Sequence, residues 1–440
     1  MFANCIRSPL AAIRAWCIPL ANQAAWWCVL RFSGPLLALA WLCRCTVGRR
    51  AQVIAVVGSY GKTTTTRAIR ALIGLPPSAW VDANANCFSL VGLALLRGML
   101  ESRIVVVEVG TARPGQMARY AWAIRPSIVV VTCIGLEHVQ SFRDIEHLRD
   151  EEAEIVRRLP ATATAVLNAD DPRVAAMATE TRAQVLTFGS GKDADVVGSD
   201  VVLDWPHGTS LNVSVAGRTV AVRTRLIGKG MANCILAAVG TAVVADIPVE
   251  RALAALAALS PTPGRLQPLP LPGGAFVLRD DYKSTVDTVI AALDVLGRLP
   301  ARRRIVVLGD LDMPPAPERV WYRSIGEQVA GVADEVLFVG TKHEKYRSGL
   351  RRSGRAPARV HAVRTTAEAA IHLASRLRAG DVVLVKGRET QRLTRVILAL
   401  SGRSVGCTVE SCRMHLTFCD RCPLLSDGRA QGLVAAGGVG

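Results

Sequence analysis

What this 440-residue sequence lacks, first, is an apolar run long enough to cross a bilayer. Two uncharged stretches near the N-terminus, 15–30 and 32–43, fall short of the ~20 residues a spanning helix needs, and Pro19, Asn22 and Gln23 interrupt the first. Lysine is nearly absent, with 7 against 46 arginines. The resulting net charge of +17 is scattered, and no basic stripe with interleaved aromatics appears, which excludes a nucleic-acid-binding reading. An anionic substrate or an acidic membrane surface suits the charge equally well. With half its residues hydrophobic and only 20% charged, the chain is not disordered as a whole. Twelve cysteines spread over so long a chain are not the disulfide framework of a small secreted domain. Cys87, Cys133 and Cys234 fall in apolar segments and read as small core hydrophobes.

What is present begins with an apolar N-terminal segment, residues 1–50, holding Trp16, Trp26, Trp27 and Trp41 and bracketed by arginines. Arg14 breaks the apolar stretch too early for a secretory signal. Two readings remain: a pair of helices packed on the next domain, or an interfacial anchor with tryptophan at headgroup level and arginine toward anionic lipid. The expected setting is cytoplasmic, at the inner face of the membrane if the anchor operates.

From Val53 onward β-branched runs alternate with helical stretches. Strands are expected at Val53–Val57, Ile104–Val109, Ile128–Thr132 and Ala163–Leu167, with helices such as Thr63–Leu72 and Ile145–Arg158 between them. That alternation predicts an α/β fold with a mostly parallel sheet covered on both faces. Between Val196 and Leu226 short alternating strands predict an antiparallel extension, followed by helices at Met231–Ala245 and Pro248–Leu259. The proline- and glycine-rich run Ser260–Gly274 reads as a hinge. Beyond it a smaller, Rossmann-like α/β domain is expected, with strands at Phe276–Leu278, Arg304–Leu308, Glu335–Val339 and Val382–Val385. Its helices are expected near Val286–Leu296, Pro317–Val332, Ala367–Arg378 and Thr390–Leu400. The domain limits so drawn are 1–50, 51–262, 263–400 and a cysteine-rich tail, 401–440, whose Gly/Ala-rich end is expected to be disordered.

Chemistry enters at Gly58-Ser59-Tyr60-Gly61-Lys62-Thr63-Thr64. Strand, glycine loop and helix follow one another directly, so loop N–H groups and the helix N-terminus converge on phosphate. Lys62 adds a point charge and the Thr63 hydroxyl a magnesium ligand, which predicts an ATP or GTP site. Val56 stands where the longer form of this loop carries its first glycine.

The short loop with its threonine run, "GSYGKTTTT", resembles the ATP loop of the Mur ligase family, the ATP-dependent amide ligases of peptidoglycan assembly and their folate and poly-amino-acid relatives. The resemblance continues in order through "VVVEVGTARPGQM", "RPSIVVVTCIGLEHVQSF", "TAVLNADD", "PTPGRLQ", "RDDYKSTVDTVIAALDVL", "RIVVLGDLDM" and "DVVLVKGRE". It spans roughly Val53 to Leu400. Within the family, "EVGTARPG", "VLGDLDM" and "VLVKG" lean toward the branch that adds D-alanyl-D-alanine to a UDP-muramoyl tripeptide. The resemblance implies a carboxylate–amine ligase that uses ATP and Mg2+ and passes through an acyl phosphate, with small-molecule or peptide acid and amine substrates. It implies that Glu108 and His138 lie at the magnesium, with Asn168 and Asp171 in nucleotide or structural roles. Asn233 would lie beside adenine, Arg265 would reach phosphate from the hinge, Asp281 the ribose, and Lys386 a phosphate or substrate carboxylate.

The chain also departs from the family pattern. About 50 apolar residues stand where the family carries a UDP-sugar-binding domain, which leaves a relative acting on a non-UDP acid as an alternative. Lys283-Ser284-Thr285 replaces the usual residues after the tyrosine, and the central G-x-H-N block is reduced to Gly228-Lys229-Gly230-Met231. Where many members carry a carbamylated lysine, Glu152 falls in register and supplies an anion without modification; Asp150 and Glu151 compete for that role. In the tail, Cys407, Cys412, Cys419 and Cys422, with His415 between them, suit a structural zinc site, free thiols or an iron–sulfur cluster. Outside the ligases, a P-loop ATPase or kinase, or a weakly catalytic membrane scaffold, remains.

Overall fold

The structure is a computed structural model and describes residues 21–28, 31–75, 87–354, 357–412, 414 and 417–426. The expectations for Trp16, for His415 and for the Gly/Ala-rich end lie outside these residues. The chain divides into two compact units, one of residues 32–266 with 313–316, the other of 1–31, 267–312 and 317–440.

In the first unit the elements run α1 (Ser33–Cys45), β1 (Gln52–Val57), α2 (Lys62–Leu72), α3 (Phe88–Glu101), β2 (Ile104–Glu108), α4 (Gln116–Ile124), β3 (Ile128–Val131) and α5 (Ile145–Arg157). They continue with β4 (Thr164–Asn168), β5 (Gln184–Gly189), β6 (Val196–Asp204), β7 (Gly208–Val215), β8 (Arg218–Thr224), α6 (Lys229–Val244) and α7 (Val249–Ala257). The strands form one sheet in the order β2-β1-β3-β4-β5-β6-β7-β8. Pairing is parallel through β6 and antiparallel from β6 to β8.

Strand periodicity explains the layering. Side chains alternate across the sheet, so Ile54, Val56, Val106, Val130 and Val166 join the core under α2, α6 and α7. Val53, Ala55, Val57, Val107, Val129 and Leu167 join the opposite core, with residues of α1, α3, α4 and α5. A strand buried on both faces reads as a continuous apolar run, which is how these strands appear in the sequence. Because β1 lies between β2 and β3, the order reverses beside it. Crevices for ligands open at the carboxyl ends of strands at such a reversal.

The second unit contains β9 (Gln267–Pro270), β10 (Phe276–Asp280), α8 (Val286–Arg298), β11 (Arg303–Leu308), α9 (Glu318–Val332), β12 (Glu335–Val339), α10 (His343–Arg352), β13 (Arg359–Val363), α11 (Thr366–Ala374), β14 (Asp381–Lys386) and α12 (Thr394–Leu400). Its sheet order is β13-β12-β11-β14-β10-β9, parallel except for β9. The expected hinge therefore contains a strand. β9 is an edge strand, paired on one side only, where Pro268 and Pro270 leave the ladder intact. β5, β13 and α10 carry weak alternating or polar patterns and were not expected. The described tail residues have no strand, and Val409, Met414, Leu424 and Leu425 are buried.

Helices α9 and α10 cross where two glycines meet backbone. A Cβ on Gly349 would lie 1.9 Å from the Arg323 carbonyl oxygen, and one on Gly326 2.2 Å from that of Tyr346. Alanine elsewhere in a helix gains ~0.5–1 kcal/mol over glycine; here it forces the helices apart. Gly349→Ala should lower unfolding stability by about 1–3 kcal/mol in a denaturant titration. A neutral or stabilising effect would contradict the close crossing.

Candidate active site

The loop after β1 turns on Gly58, at φ +113°, and Gly61, at φ +82°. A Cβ on Gly58 would meet the Thr132 hydroxyl at 2.4 Å and the Cys133 carbonyl at 2.8 Å, so only glycine fits there. Val56 is a fully buried strand residue; the strand ends at Val57, and the loop starts at Gly58. Ser59 ties this loop to the one after β3, its N–H donating to Cys133 O (2.7 Å) and its hydroxyl accepting from Gly135 N–H (2.9 Å). Tyr60 is half-buried, and its carbonyl accepts from the Cys133 thiol. Thr63 and Thr64 are buried at the start of α2. Thr64 shares a 3.1 Å hydroxyl contact with Thr262, three residues before Arg265.

Lys62 is the centre of the site. Its buried ammonium donates to Gly58 O (2.5 Å) and Ser59 O (3.0 Å) and lies 3.5 Å from Glu137 Oε2. Burial lowers its pKa, Glu108 and Glu152 oppose that fall, and Arg265 adds to it. Glu108 ends β2 level with Val56, and its buried Oε2 has no hydrogen-bond partner. A buried carboxylate oxygen left in that state among the described residues is the chemistry that a hard divalent cation satisfies. His138, at φ 54°, places Nε2 3.2 Å from Glu137 Oε1. Glu137 is not singled out by the sequence reading, although "LEH" carries it next to the histidine.

Glu152 comes from the middle of α5 to the loop and accepts from Gly58 N–H (3.2 Å). Its two competitors are engaged elsewhere. Glu151 accepts from Gly115 and Met117 N–H at 2.8 and 2.7 Å, and Asp150 pairs with Arg149 and Arg157. Asn168 donates to Thr132 O (2.6 Å), while Asp171 accepts from Ile134 N–H (2.7 Å) and caps the next turn. Both hold the loops around the site. Asn233 Nδ2 reaches Asp170 at 3.5 Å, and its neighbour Cys234 backs Gly61. Burial pushes the Cys133 thiol up to about 12 and that of Cys234 up to about 11, so both are neutral packing groups.

In the second unit the carboxyl ends of β10, β11 and β14 gather another polar group. Lys386, fully buried, donates to Asp280 Oδ2 and Lys283 O, each at 2.6 Å. Asp281 is buried on Arg279 (2.9 Å) and the Thr394 hydroxyl, so its carboxylate is held within the unit. Asp310, raised by burial against the pull of Arg388 and Lys342, lines a cavity of about 140 Å3 with Arg364, Arg388 and Glu410. Asp280, Asp310 and Gln391 were not singled out from the sequence; "VLGDLDM" held the signal for Asp310.

Comparison with known proteins follows the same division. Residues 56–242 match the Mur ligase middle domain and residues 264–389 the Mur ligase glutamate ligase domain. The chain belongs to the Mur ligase family. A UDP-N-acetylmuramoyl-tripeptide–D-alanyl-D-alanine ligase of Mycobacterium bovis is 28% identical over 374 residues, 79% of this chain and 72% of the relative. The fold is similar to MurF from Acinetobacter baumannii (TM-score 0.75, 21% identity, 84% of this chain and 81% of that one). It is also similar to the MurF ligase of Thermotoga maritima in complex with ADP (TM-score 0.71, 22% identity, 84% and 83%). This Mur ligase is an ATP-dependent amide-forming enzyme.

The zinc expectation for the tail is not met by the donor set. Cys407, Cys412, Cys419 and Cys422 line one cavity of about 20 Å3 with Arg392 and Arg395. Among the described residues, however, the one group of three or more ligand side chains within 4.8 Å is Glu335, His361 and His372. The thiols are therefore not drawn into a tetrahedron. The tail is held instead by buried arginines, Arg395 donating to Val409 O (2.5 Å) and Cys407 O (3.2 Å), and Arg392 to Met414 O (2.6 Å). The Glu335 group faces Arg303, Arg359 and Arg376, a field that repels a cation.

Burial pushes the Glu152 carboxyl up to about 7, against the pull of Lys62 and the Gly58 N–H. A raised carboxyl contributes its stability in full below its ordinary value and loses it as pH rises through about 7. Glu152→Gln, neutral throughout, should match the parent near about pH 5 and become more stable above about pH 7, by on the order of 1–3 kcal/mol. Thermal melts of both proteins across that range check it; a difference that does not grow with pH would contradict the burial of this charge.

Proposed function

We propose that this Mur ligase joins a small zwitterionic amine, of the D-alanyl-D-alanine type, to the carboxyl group of a UDP-muramoyl peptide. The observation that supports the reading most is the meeting of Lys62, Glu108 and Glu152 on one glycine loop. A ligase must build an acyl phosphate from ATP and a carboxylate and keep it from water until an amine arrives.

In this reading the N–H groups of Gly58 to Thr64 cradle the phosphates of ATP. Lys62 exchanges its two loop carbonyls for phosphate oxygens, carrying its charge onto the group being transferred. Glu108 and Thr63 would hold Mg2+, and Glu137 orients His138. The ion supplies Lewis-acid polarisation and charge neutralisation at the phosphates. A carboxylate oxygen of the acid attacks the terminal phosphorus and ADP leaves. The amine nitrogen then attacks the acyl carbon; the bond from that carbon to the phosphate oxygen breaks, its electron pair leaves with inorganic phosphate, and the nitrogen gives up one proton. Glu152, an anion above about pH 7, takes the place of a carbamylated lysine. Arg265 adds positive charge beside Lys62, and Asn233 serves the nucleoside.

For the amine, the cavity that Asp310 lines offers both charges that a zwitterion needs: Arg364 and Arg388 for its carboxylate, Asp310 and Glu410 for its ammonium. Its volume of about 140 Å3 suits a small amino-acid-like group rather than a folded partner. ATP as phosphoryl donor supports a cytoplasmic setting for the reaction.

Two measurements test the reading. ADP release, screened over acid–amine pairs that include UDP-muramoyl tripeptide with D-alanyl-D-alanine, should rise at least about tenfold only when both partners are present. Release that ignores the amine would make the protein an ATPase or kinase. Lys62→Ala should lower the rate by about 100-fold or more. Glu108→Gln should raise the Mg2+ concentration needed for half-maximal rate; an unchanged magnesium dependence would remove Glu108 from the metal.

A further inference from the structure

At the amino ends of the first unit's strands, opposite the phosphate loop, lies a cavity of about 410 Å3. Arg44, Arg49, Arg125 and Arg158 line it, and no carboxylate does. Arg158 is paired with Glu154 outside it. Arg44 is buried, and among the described residues its guanidinium donates to four carbonyls: Gly48 O (2.7 Å), Ile124 O (3.2 Å), Arg49 O (3.2 Å) and Arg125 O (3.2 Å). A guanidinium held nine-tenths buried beside three more, with no anion facing it in the cavity, is a charge left for something outside the described residues to balance.

The surface beside the cavity is apolar. Val47 is 87% exposed, Leu100 86% and Trp122 52%, and Phe32, Leu39, Leu42 and Leu93 are also exposed. They come from α1, α3 and α4 and the turn after α1. These helices are packed as one layer: Trp41 stacks on Trp122 (4.6 Å between ring centroids), and Gly92 lies against the Leu36 backbone. α1 has no acidic residue. Exposed apolar residues concentrated in one layer and bordered by unbalanced positive charge mark an interaction surface, not scattered surface noise.

We propose that this face docks on an anionic phospholipid surface, with a lipid phosphate entering the Arg44–Arg49–Arg125 cavity and the exposed side chains of α1, α3 and α4 entering the headgroup–acyl boundary. A bilayer is the occupant that offers both halves of the match, a layer of phosphates over an apolar interior. Basic residues near such a surface contribute ~1 kcal/mol each, in a salt-dependent way. Apolar side chains at the boundary add a salt-resistant part. No single helix among the described residues is long and apolar enough to span; 21–28 and Ser33–Cys45 pass only when taken together. This is surface attachment, and it leaves the phosphate loop on the far edge of the sheet open to ATP. The inference is independent of which acid and amine the enzyme joins.

The test uses the full chain with vesicles of phosphatidylcholine alone and of phosphatidylcholine with phosphatidylglycerol. The protein should co-sediment with the anionic vesicles at least about tenfold more than with the neutral ones, and less as salt rises. The double substitution Arg49→Glu with Arg125→Glu should abolish the salt-sensitive part, and Leu42→Asp should weaken the remainder. Melting temperature and ATP binding of each variant, unchanged, separate lost docking from lost folding. Equal sedimentation with both vesicles, or variants that sediment like the parent, would overturn the proposal. So would a melting shift with inorganic phosphate in the absence of vesicle binding, which would assign the cavity to a free anion. A dimer broken by Leu42→Asp without vesicle binding would assign the face to a second copy.

Discussion

A single buried ammonium organises the first unit. Lys62 lies under the phosphate loop, bound to two loop carbonyls and facing Glu137, with Glu108 and Glu152 close enough to oppose the effect of burial on its charge. Desolvating that many charges is costly unless they balance. The parallel sheet makes the arrangement possible, because the ends of β1, β2 and β3 deliver the loop, Glu108 and the Glu137–His138 turn to one edge, while α5 brings Glu152 from the side. The balance is left incomplete at one atom, the unpartnered oxygen of Glu108.

The second unit repeats the device with another purpose. Lys386 is buried against Asp280, and Arg279 joins Asp281, Thr394 and Asp420 of the tail in one network. The tail is thereby part of the unit, held by arginine–carbonyl bonds and by Val409, Met414 and Leu424. Its residues Glu410 and Ser411 reach the cavity that holds Asp310 and Arg388. Residues beyond the matched family region, which ends at 389, thus contribute to the wall of that cavity.

Much of this was legible in the sequence. Strands buried on both faces announce themselves as apolar β-branched runs, and the glycine loop between strand and helix announces its ligand. Glu152 was separable from Glu151 and Asp150 only in three dimensions: all three share one helix, and their hydrogen-bond partners, not their spacing, distinguish them. The edge strands β9 and β13 were hidden because pairing on one side tolerates proline and half-exposed polar residues. The cysteine tail misled for a related reason. Spacing shows that thiols lie close along the chain, but coordination depends on where Sγ atoms point, and here the four thiols share their small cavity with Arg392 and Arg395. Asp310 and Asp280 escaped notice because a carboxylate after a strand is commonplace until its burial is known.

The central claim is that the loop around Lys62 serves to phosphorylate a carboxylate, not water. The most direct measurement follows the oxygen. With an acid substrate labelled with heavy oxygen in its carboxyl group, one labelled atom should appear in the inorganic phosphate for each amide bond formed, because the acyl phosphate loses that oxygen when the amine attacks. Phosphate free of label, with the amide still formed, would contradict the account.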